Sequence, residues 1–308
     1  MAVNLARSFW LWNADTPINF YLATDQAQWL PDDVKPYVKI ISIQPGELGE
    51  GFSTKLHLDK LAPEGQTLFI DSDCLIYGNI EWVFEKFAGH AVSVVGGYIS
   101  DGEWFGDIAA ICKKFDVTRL PKFNGGIYYL ENGEKAKKVY DLARELESRY
   151  DEIGFVRLRN RPNDEVLMAL AMELNHTEVI ADDGSILGEF VNFQSGIKSD
   201  LVKGFAELYN DPVSPKFQQN WHLTIAKPVI VHFLGHHNQV MPYLKEVKQL
   251  KYMFANKLPK NLAGVLTYLQ VTLPSAIVSH TKKLARPLYH SLFGTRKVKV
   301  SERVIAND

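Results

Sequence analysis

The sequence predicts an α/β protein built on a largely parallel sheet. Two observations lead there: short apolar runs recur between stretches of helical periodicity, and two of the most apolar runs stop abruptly, one at Asp71 and one at His232. The composition agrees. With 308 residues, 46% hydrophobic and 23% charged, the chain is an ordinary soluble globule with material for one large domain or two modest ones. A formal net charge of -2 excludes a generally basic nucleic-acid binder. Cys74 and Cys112 show neither metal spacing nor a disulfide-dense pattern, which favours a reducing, cytoplasmic setting. The opening MAVNLARSFW lacks the basic segment and long apolar core of a signal peptide.

Taken in order, Ala2 to Trp12 places Val3, Ala6, Phe9 and Trp10 at helical spacing and predicts an amphipathic helix. Pro17 leads into a strand ending at Thr24-Asp25, and Tyr37 to Gln44 forms a second, closed by Pro45-Gly46. After a short helical segment around Thr54 to Leu61, Thr67 to Ile70 reads as a strand buried on both faces that runs into Asp71-Ser72-Asp73. Ile80 to Phe87 reads as a helix and Ala91 to Tyr98 as a strand, while Ser100 to Lys122 has no sustained period and reads as a loop-rich insertion. Phe123 to Glu131 is a strand opened by Asn124-Gly125-Gly126. Lys135 to Tyr150 is a helix with Val139, Leu142, Ala143 and Leu146 on one face, and Pro162 to Glu165 starts another that continues through Val166, Leu167, Leu170 and Leu174.

His176 to Asp182 predicts a strand, Gly184 to Asn220 is mixed and polar, and Pro228 to Phe233 is the last strong buried strand. From Lys251 the character changes, because Lys257, Lys260, Lys282, Lys283, Arg286, Arg296, Lys297, Lys299 and Arg303 are almost unopposed by acids. The chain therefore divides into residues 1–250 and a basic helical extension, 251–308. In that extension Leu284, Leu288, Tyr289, Leu292 and Phe293 make the apolar face of a helix suited to an anionic membrane surface. The uncharged stretch Asn261 to Thr281 is interrupted by Gln270, Pro274 and His280 and reads as a poor membrane span.

Four constellations carry chemistry. Asp71 and Asp73, one residue apart where a strand gives way to a loop, can reach one cation, and that cation can take the oxygens of a diphosphate. His232 ends a second buried strand and can face the same crevice. At Asn124-Gly125-Gly126 the missing side chains leave room for a substrate, and Asn124 offers a donor and an acceptor to a polyol, although tight strand entry alone explains Gly126. Asp164-Glu165 fits helix capping as well as ligand binding. The aspartate pair also fits a haloacid-dehalogenase-like phosphatase with Asp182-Asp183 as distant metal ligands, although Cys74-Leu75 stands where that family has Gly-Thr.

In this order, Thr54-Lys55-Leu56, LFIDSD, FNGG, NDE and HFLG resemble the family 8 glycosyltransferases, the glycogenin and bacterial lipopolysaccharide galactosyltransferase group, over Leu5 to about Asn238. The resemblance implies a GT-A fold with a mostly parallel central sheet, and a retaining transfer from a UDP-sugar donor to a glycan or lipid-linked acceptor. It implies manganese or magnesium held by Asp71, Asp73 and His232, with Asn124 and Asp164 at the sugar and Lys55, Ser72, Gly125 and Gly235 around the donor. Mixed carboxylate and imidazole ligation suits manganese. Two departures stand out: Asn238 replaces the lysine expected after the histidine motif, and the strand that precedes the first helix in that family is absent, so it lies upstream of Met1 or the nucleotide pocket is built differently. Those departures also leave open a catalytically weak sugar-nucleotide or glycan-binding protein.

Overall fold

The structure, a computed structural model, describes residues 1–295. Arg296, Lys297, Lys299 and Arg303 of the basic extension lie outside the described residues. The first helix, α1 (Ala2–Asn13), buries Leu5, Ala6 and Phe9, as its apolar spacing requires. Strands β1 (Tyr21–Thr24) and β2 (Lys39–Ser42) follow and pair in parallel. A 3-10 turn over Gly51–His57 and the short α2 (Leu58–Leu61) lead into β3 (Gln66–Ile70). Only three residues then separate β3 from β4 (Cys74–Ile76), which joins a different sheet.

Helix α3 (Glu81–Phe87) is followed by β5 (Val92–Ser93) and β6 (Val95–Ile99). Next come α4 (Ile108–Phe115), β7 (Leu120–Phe123) and β8 (Ile127–Glu131). The helices α5 (Glu134–Glu147), α6 (Tyr150–Ile153) and α7 (Asp164–Leu174) cover one side, and α7 is almost wholly buried. Short strands β9 (Ile180–Ala181), β10 (Leu187–Glu189), β11 (Gly196–Asp200), β12 (Phe205–Tyr209), β13 (Ile225–Ala226) and β14 (Ile230–His232) complete the α/β body.

The layering is as predicted, but the strand directions are mixed rather than mostly parallel. β1–β2, β10–β14 and β6–β9 are parallel, whereas β3–β8, β5–β8, β14–β4, β6–β7, β11–β12 and β12–β13 are antiparallel. Alternation of strands with helices forces parallel pairing only when each helix returns the chain to the same sheet edge. Here β3 and β4, adjacent in sequence, instead separate into two sheets.

Three further expectations change. β3 is half-buried rather than enclosed, since Thr67 to Ile70 line an open cavity. The stretch Ser100 to Lys122 contains α4, capped by Asp107, whose carboxylate accepts from the Ala110 amide at 3.1 Å, and ended by Asp116 in the left-handed region at φ 54°. With eight residues, that helix is too short to show a sustained period. The polar stretch Gly184 to Asn220 supplies β10, β11 and β12.

Helix α8 (Tyr243–Phe254) runs through residue 250, so the body continues past that point. The helix α9 (Lys260–Thr267) buries Ala263 and Thr267, passes through a π turn at Tyr268–Thr272 and becomes α10 (Leu273–Phe293), which buries nothing. Together they form one helix, Lys260–Phe293, long and apolar enough by length and composition to cross a membrane. Pro274 does not interrupt it as the sequence suggested, because it falls in the first turn of α10 just after the π turn.

Candidate functional site

The turn between β3 and β4 carries Asp71, Ser72 and Asp73, and it is pinned from both sides. The Asp71 amide donates to the Gly126 carbonyl at 2.9 Å, and the Phe233 amide donates to the Asp73 carbonyl at 3.1 Å. The entrance of β8 and the end of β14 therefore fix the aspartate backbone. β14 lies between β10 and β4, in a register that sets Glu189, His232 and Cys74 in one row. Paired residues share a face, so this register brings the imidazole to the turn.

His232 Nε2 lies 3.1 Å from Asp73 Oδ1 and 3.7 Å from Asp71 Oδ2. Its other nitrogen, Nδ1, is 2.8 Å from Asn124 Oδ1. That amide oxygen also accepts from the Gly126 N–H at 3.0 Å, which fixes it as the acceptor and Nδ1 as the donor. A proton therefore sits on Nδ1, and Nε2 faces the carboxylates: as an imidazolium it donates to Asp73, and as a neutral imidazole it offers its lone pair to a metal there. Two carboxylates and an oriented imidazole fit a divalent cation that accepts oxygen and nitrogen. Asp73 titrates below its ordinary range: burial opposes this, and the hydrogen bond and charge of His232 prevail.

Asn124 thus orients the histidine, whereas the resemblance placed it at the sugar. The glycines also have a different use from substrate access. A Cβ on Gly126 would lie 2.5 Å from His232 Nδ1, and one on Gly125 would lie 3.1 Å from Asp164 Oδ2 and from the Tyr128 hydroxyl. The protein's own side chains fill the space. Both backbone groups of Gly125 are taken, its N–H by Glu165 Oε1 at 2.8 Å and its carbonyl by Lys55 Nζ at 2.7 Å.

Lys55 links the acids of the β3–β4 turn to a second, buried acidic pair. Its ammonium is 2.7 Å from Asp71 Oδ2 and 4.0 Å from Asp164 Oδ2. Burial disfavours that charge, but Asp164 and then Asp71 hold it above its usual range. Asp164 is buried and accepts from the Tyr128 hydroxyl at 2.6 Å, while the helix cap is Asn163, whose side chain accepts from the Val166 amide. The capping role is therefore filled without Asp164 or Glu165. Burial, then the Asp164 charge, pushes the Glu165 carboxyl up to about 8, and burial likewise raises Asp164 despite Lys55.

A crystal structure of an active-site mutant of LgtC superposes on this chain with a TM-score of 0.52 at 12% identity, covering 85% of this chain and 94% of that one. The fold is that of the GT-A glycosyltransferases. A galactosyltransferase LgtC structure with donor and acceptor sugar analogues gives 0.46 at 12% identity, covering 76% and 82%. The glycosyltransferase GlyE of Streptococcus pneumoniae gives 0.45 at 12% identity, covering 76% of this chain and 52% of GlyE. No protein-family model and no curated protein matches the sequence.

On this GT-A frame the remaining expected residues scatter. Ser72 is exposed at the tip of the turn, and Gly235 at φ 61° opens the 3-10 turn Gly235–Gln239. Asn238, at the expected lysine position, lies on the surface beside Met1, and His237 stacks on Phe190 at 3.9 Å. The carboxylates of Asp182 and Asp183 accept from the Gly184 and Ser185 amides of their own turn. Sequence reasoning missed Tyr128, Cys74 and Glu189. Cys74 groups with Asp73 and His232, but burial and the neighbouring Asp71 and Asp73 charges keep its thiol protonated. Glu189, raised to about 7 by burial, accepts from the Val191 and Asn192 amides. Its signal was an isolated acid inside the apolar stretch Ile186 to Val191.

A cavity of about 760 Å³ ends at Asp71 and Ser72. Consecutive residues of β1 and of β3 line it, both Leu22 and Ala23 and both Phe69 and Ile70. Side chains alternate along a strand, so lining by consecutive residues means that the strand edges face the cavity. Leu5 and Phe9 of α1 close one side. Among the described residues, neither β1 nor β3 has a strand partner on that edge.

Proposed function

We propose that the protein is a retaining glycosyltransferase that moves a sugar from a UDP-sugar to a glycan or lipid-linked acceptor, with manganese or magnesium bound by Asp71, Asp73 and His232. The observation that carries this reading is the convergence of His232 Nε2 on the two carboxylates of the β3–β4 turn, with Nδ1 held by Asn124. The GT-A fold supports sugar transfer, since phosphatase chemistry at Asp71 would call on Asp182 and Asp183, which are engaged in their own turn.

When bound, the cation supplies Lewis-acid stabilisation of the charge that gathers on the leaving diphosphate. The chain's residues do the rest. Asn124 and Gly126 keep the imidazole in place, and Lys55 holds Asp71 while adding positive charge on the diphosphate side. Asp164, fixed by Tyr128, faces Lys55 and keeps that ammonium charged and in place rather than touching the sugar. The sugar C1–oxygen bond to the diphosphate breaks as the acceptor oxygen bonds to C1 on the same face, and the acceptor proton leaves on the departing phosphate. Retention without a separate base suits a site in which Asp164 and Glu165 are already engaged.

UDP release from a panel of UDP-sugars with manganese, together with the anomeric configuration of the product, tests this reading. Manganese-dependent release with retention is expected. Phosphate release from phosphomonoesters, or nucleotide binding without turnover, would replace it by the phosphatase or the binding-protein reading.

A further inference from the structure

A long helix leaves the body at its C-terminal end. α9 is anchored: Ala263 and Thr267 are buried, and Lys260 Nζ donates to the Val202 carbonyl at 2.7 Å. Tyr252 of α8 adds a hydrogen bond to Gln270 just beyond it. From Leu273 the same helix runs on for 21 residues with no buried side chain, an arm of about 31 Å.

Leu273, Ile277, Leu284, Leu288 and Leu292 recur at spacings of four and seven, which puts them on one stripe of this arm. Leu284, Leu288 and Leu292 are 70%, 66% and 67% exposed, values that leave the stripe open to solvent. Lys282, Lys283 and Arg286 fall on the opposite face by the same periodicity. No acid occurs between Lys257 and residue 295, so the helix carries positive charge alone. A solvated structural helix has no need of an apolar stripe, and a second copy of this helix would bring like charges together. An anionic lipid surface meets both features, taking the leucines into the acyl boundary and the cations among its headgroups.

We propose that α10 is an interfacial membrane anchor that binds anionic bilayers with its Leu273–Leu292 stripe inserted and its axis in the plane of the surface. Lys282, Lys283 and Arg286 near the middle of the arm distinguish this from crossing, since a spanning arm would carry three cations to the depth of the acyl chains, whereas Val278, Tyr289 and Phe293 beside them can rest at the headgroup boundary. This inference stands apart from the sugar-transfer reading and is tested without donor or acceptor.

The full chain is sedimented with vesicles of phosphatidylcholine alone and of phosphatidylcholine mixed with phosphatidylglycerol, at low and high salt. Binding to the mixed vesicles should exceed binding to the neutral ones by at least about 10-fold and weaken with salt. Combined K282E, K283E and R286E should weaken it by about 100-fold or more. Combined L284S, L288S and L292S should remove it, with the melting temperature of the body unchanged. Three results would overturn the proposal: no difference between the two vesicle types, retention on mixed vesicles after an alkaline wash, which marks a spanning helix, or self-association that the serine variant abolishes while vesicles remain unbound.

Discussion

Two regions meet at Asp71, and they are built in opposite ways. On one side, Asp73, His232, Asn124, Gly126 and Lys55 hold one another through bonds that cross from residue 55 to residue 232. On the other, β1 and β3 turn open edges to an apolar cavity with no strand between them. The first region is organised before any ligand arrives, which is what electrostatic catalysis needs. The second has backbone groups that gain partners only from something that enters the cavity. Under the proposed function, the first region sets the chemistry and the second how tightly the nucleotide end of a donor is held.

The comparison is broken most severely at Lys55, where the ordered region depends on a single buried cation. Lys55→Met leaves Asp71 and Asp164 without a counter-charge and should cost about 3 kcal/mol in urea denaturation. An unchanged denaturation midpoint would mean that this region is not held by that charge. Hydrogen exchange reads both regions at once. Amides of Tyr21–Thr24 and Gln66–Ile70 that face the cavity should exchange at least about 100-fold faster than those of Tyr129 and Leu130, which lie between β3 and β5. Equal protection would show that the open edges are covered.

Gly126→Ala is a narrower probe, since its Cβ would press on His232 Nδ1 and should weaken manganese binding about 10- to 100-fold while the protein stays folded. Manganese titration followed by electron paramagnetic resonance measures this directly. The smallest effect is expected at Glu165. Its carboxyl is raised from 4.5 to about 8, chiefly by burial, so the native state favours the proton more than the unfolded chain does. Wild-type stability from this group is therefore full below about 4.5 and lost as pH rises through about 8. Glu165→Gln should match wild type near the low end of that window and exceed it by roughly 1 to 2 kcal/mol at the high end. A constant difference between the two proteins across the window would contradict the assignment.

The set proposed to hold the metal was legible because Asp71 follows Leu68-Phe69-Ile70 and His232 follows Val229-Ile230-Val231, each at the end of its strand. Strand termination by a ligand-type residue is a local signal, and local signals survive in a sequence. What Asn124 and the glycines do was not legible, because it depends on the register that sets β14 beside β4 and β8 beside β3. The same holds for Glu165, whose place in the first turn of α7 matched helix capping until Asn163 proved to be the cap. Strand direction was lost for a related reason: a three-residue turn between β3 and β4 looks like one strand and its loop, whereas it is a passage between two sheets.

The central claim is that Asp73, with Asp71 and His232, binds a divalent cation on which the nucleotide diphosphate depends. The most direct test is the thermal shift produced by UDP with and without manganese, on wild type and on Asp73→Ala. At about 100 times the dissociation constant, the nucleotide should stabilise wild type by roughly 2.7 kcal/mol when manganese is present. That corresponds to a rise on the order of several degrees. The account predicts this shift for wild type with manganese only, and none for Asp73→Ala. An equal UDP shift without manganese, or a full shift in Asp73→Ala, would contradict it.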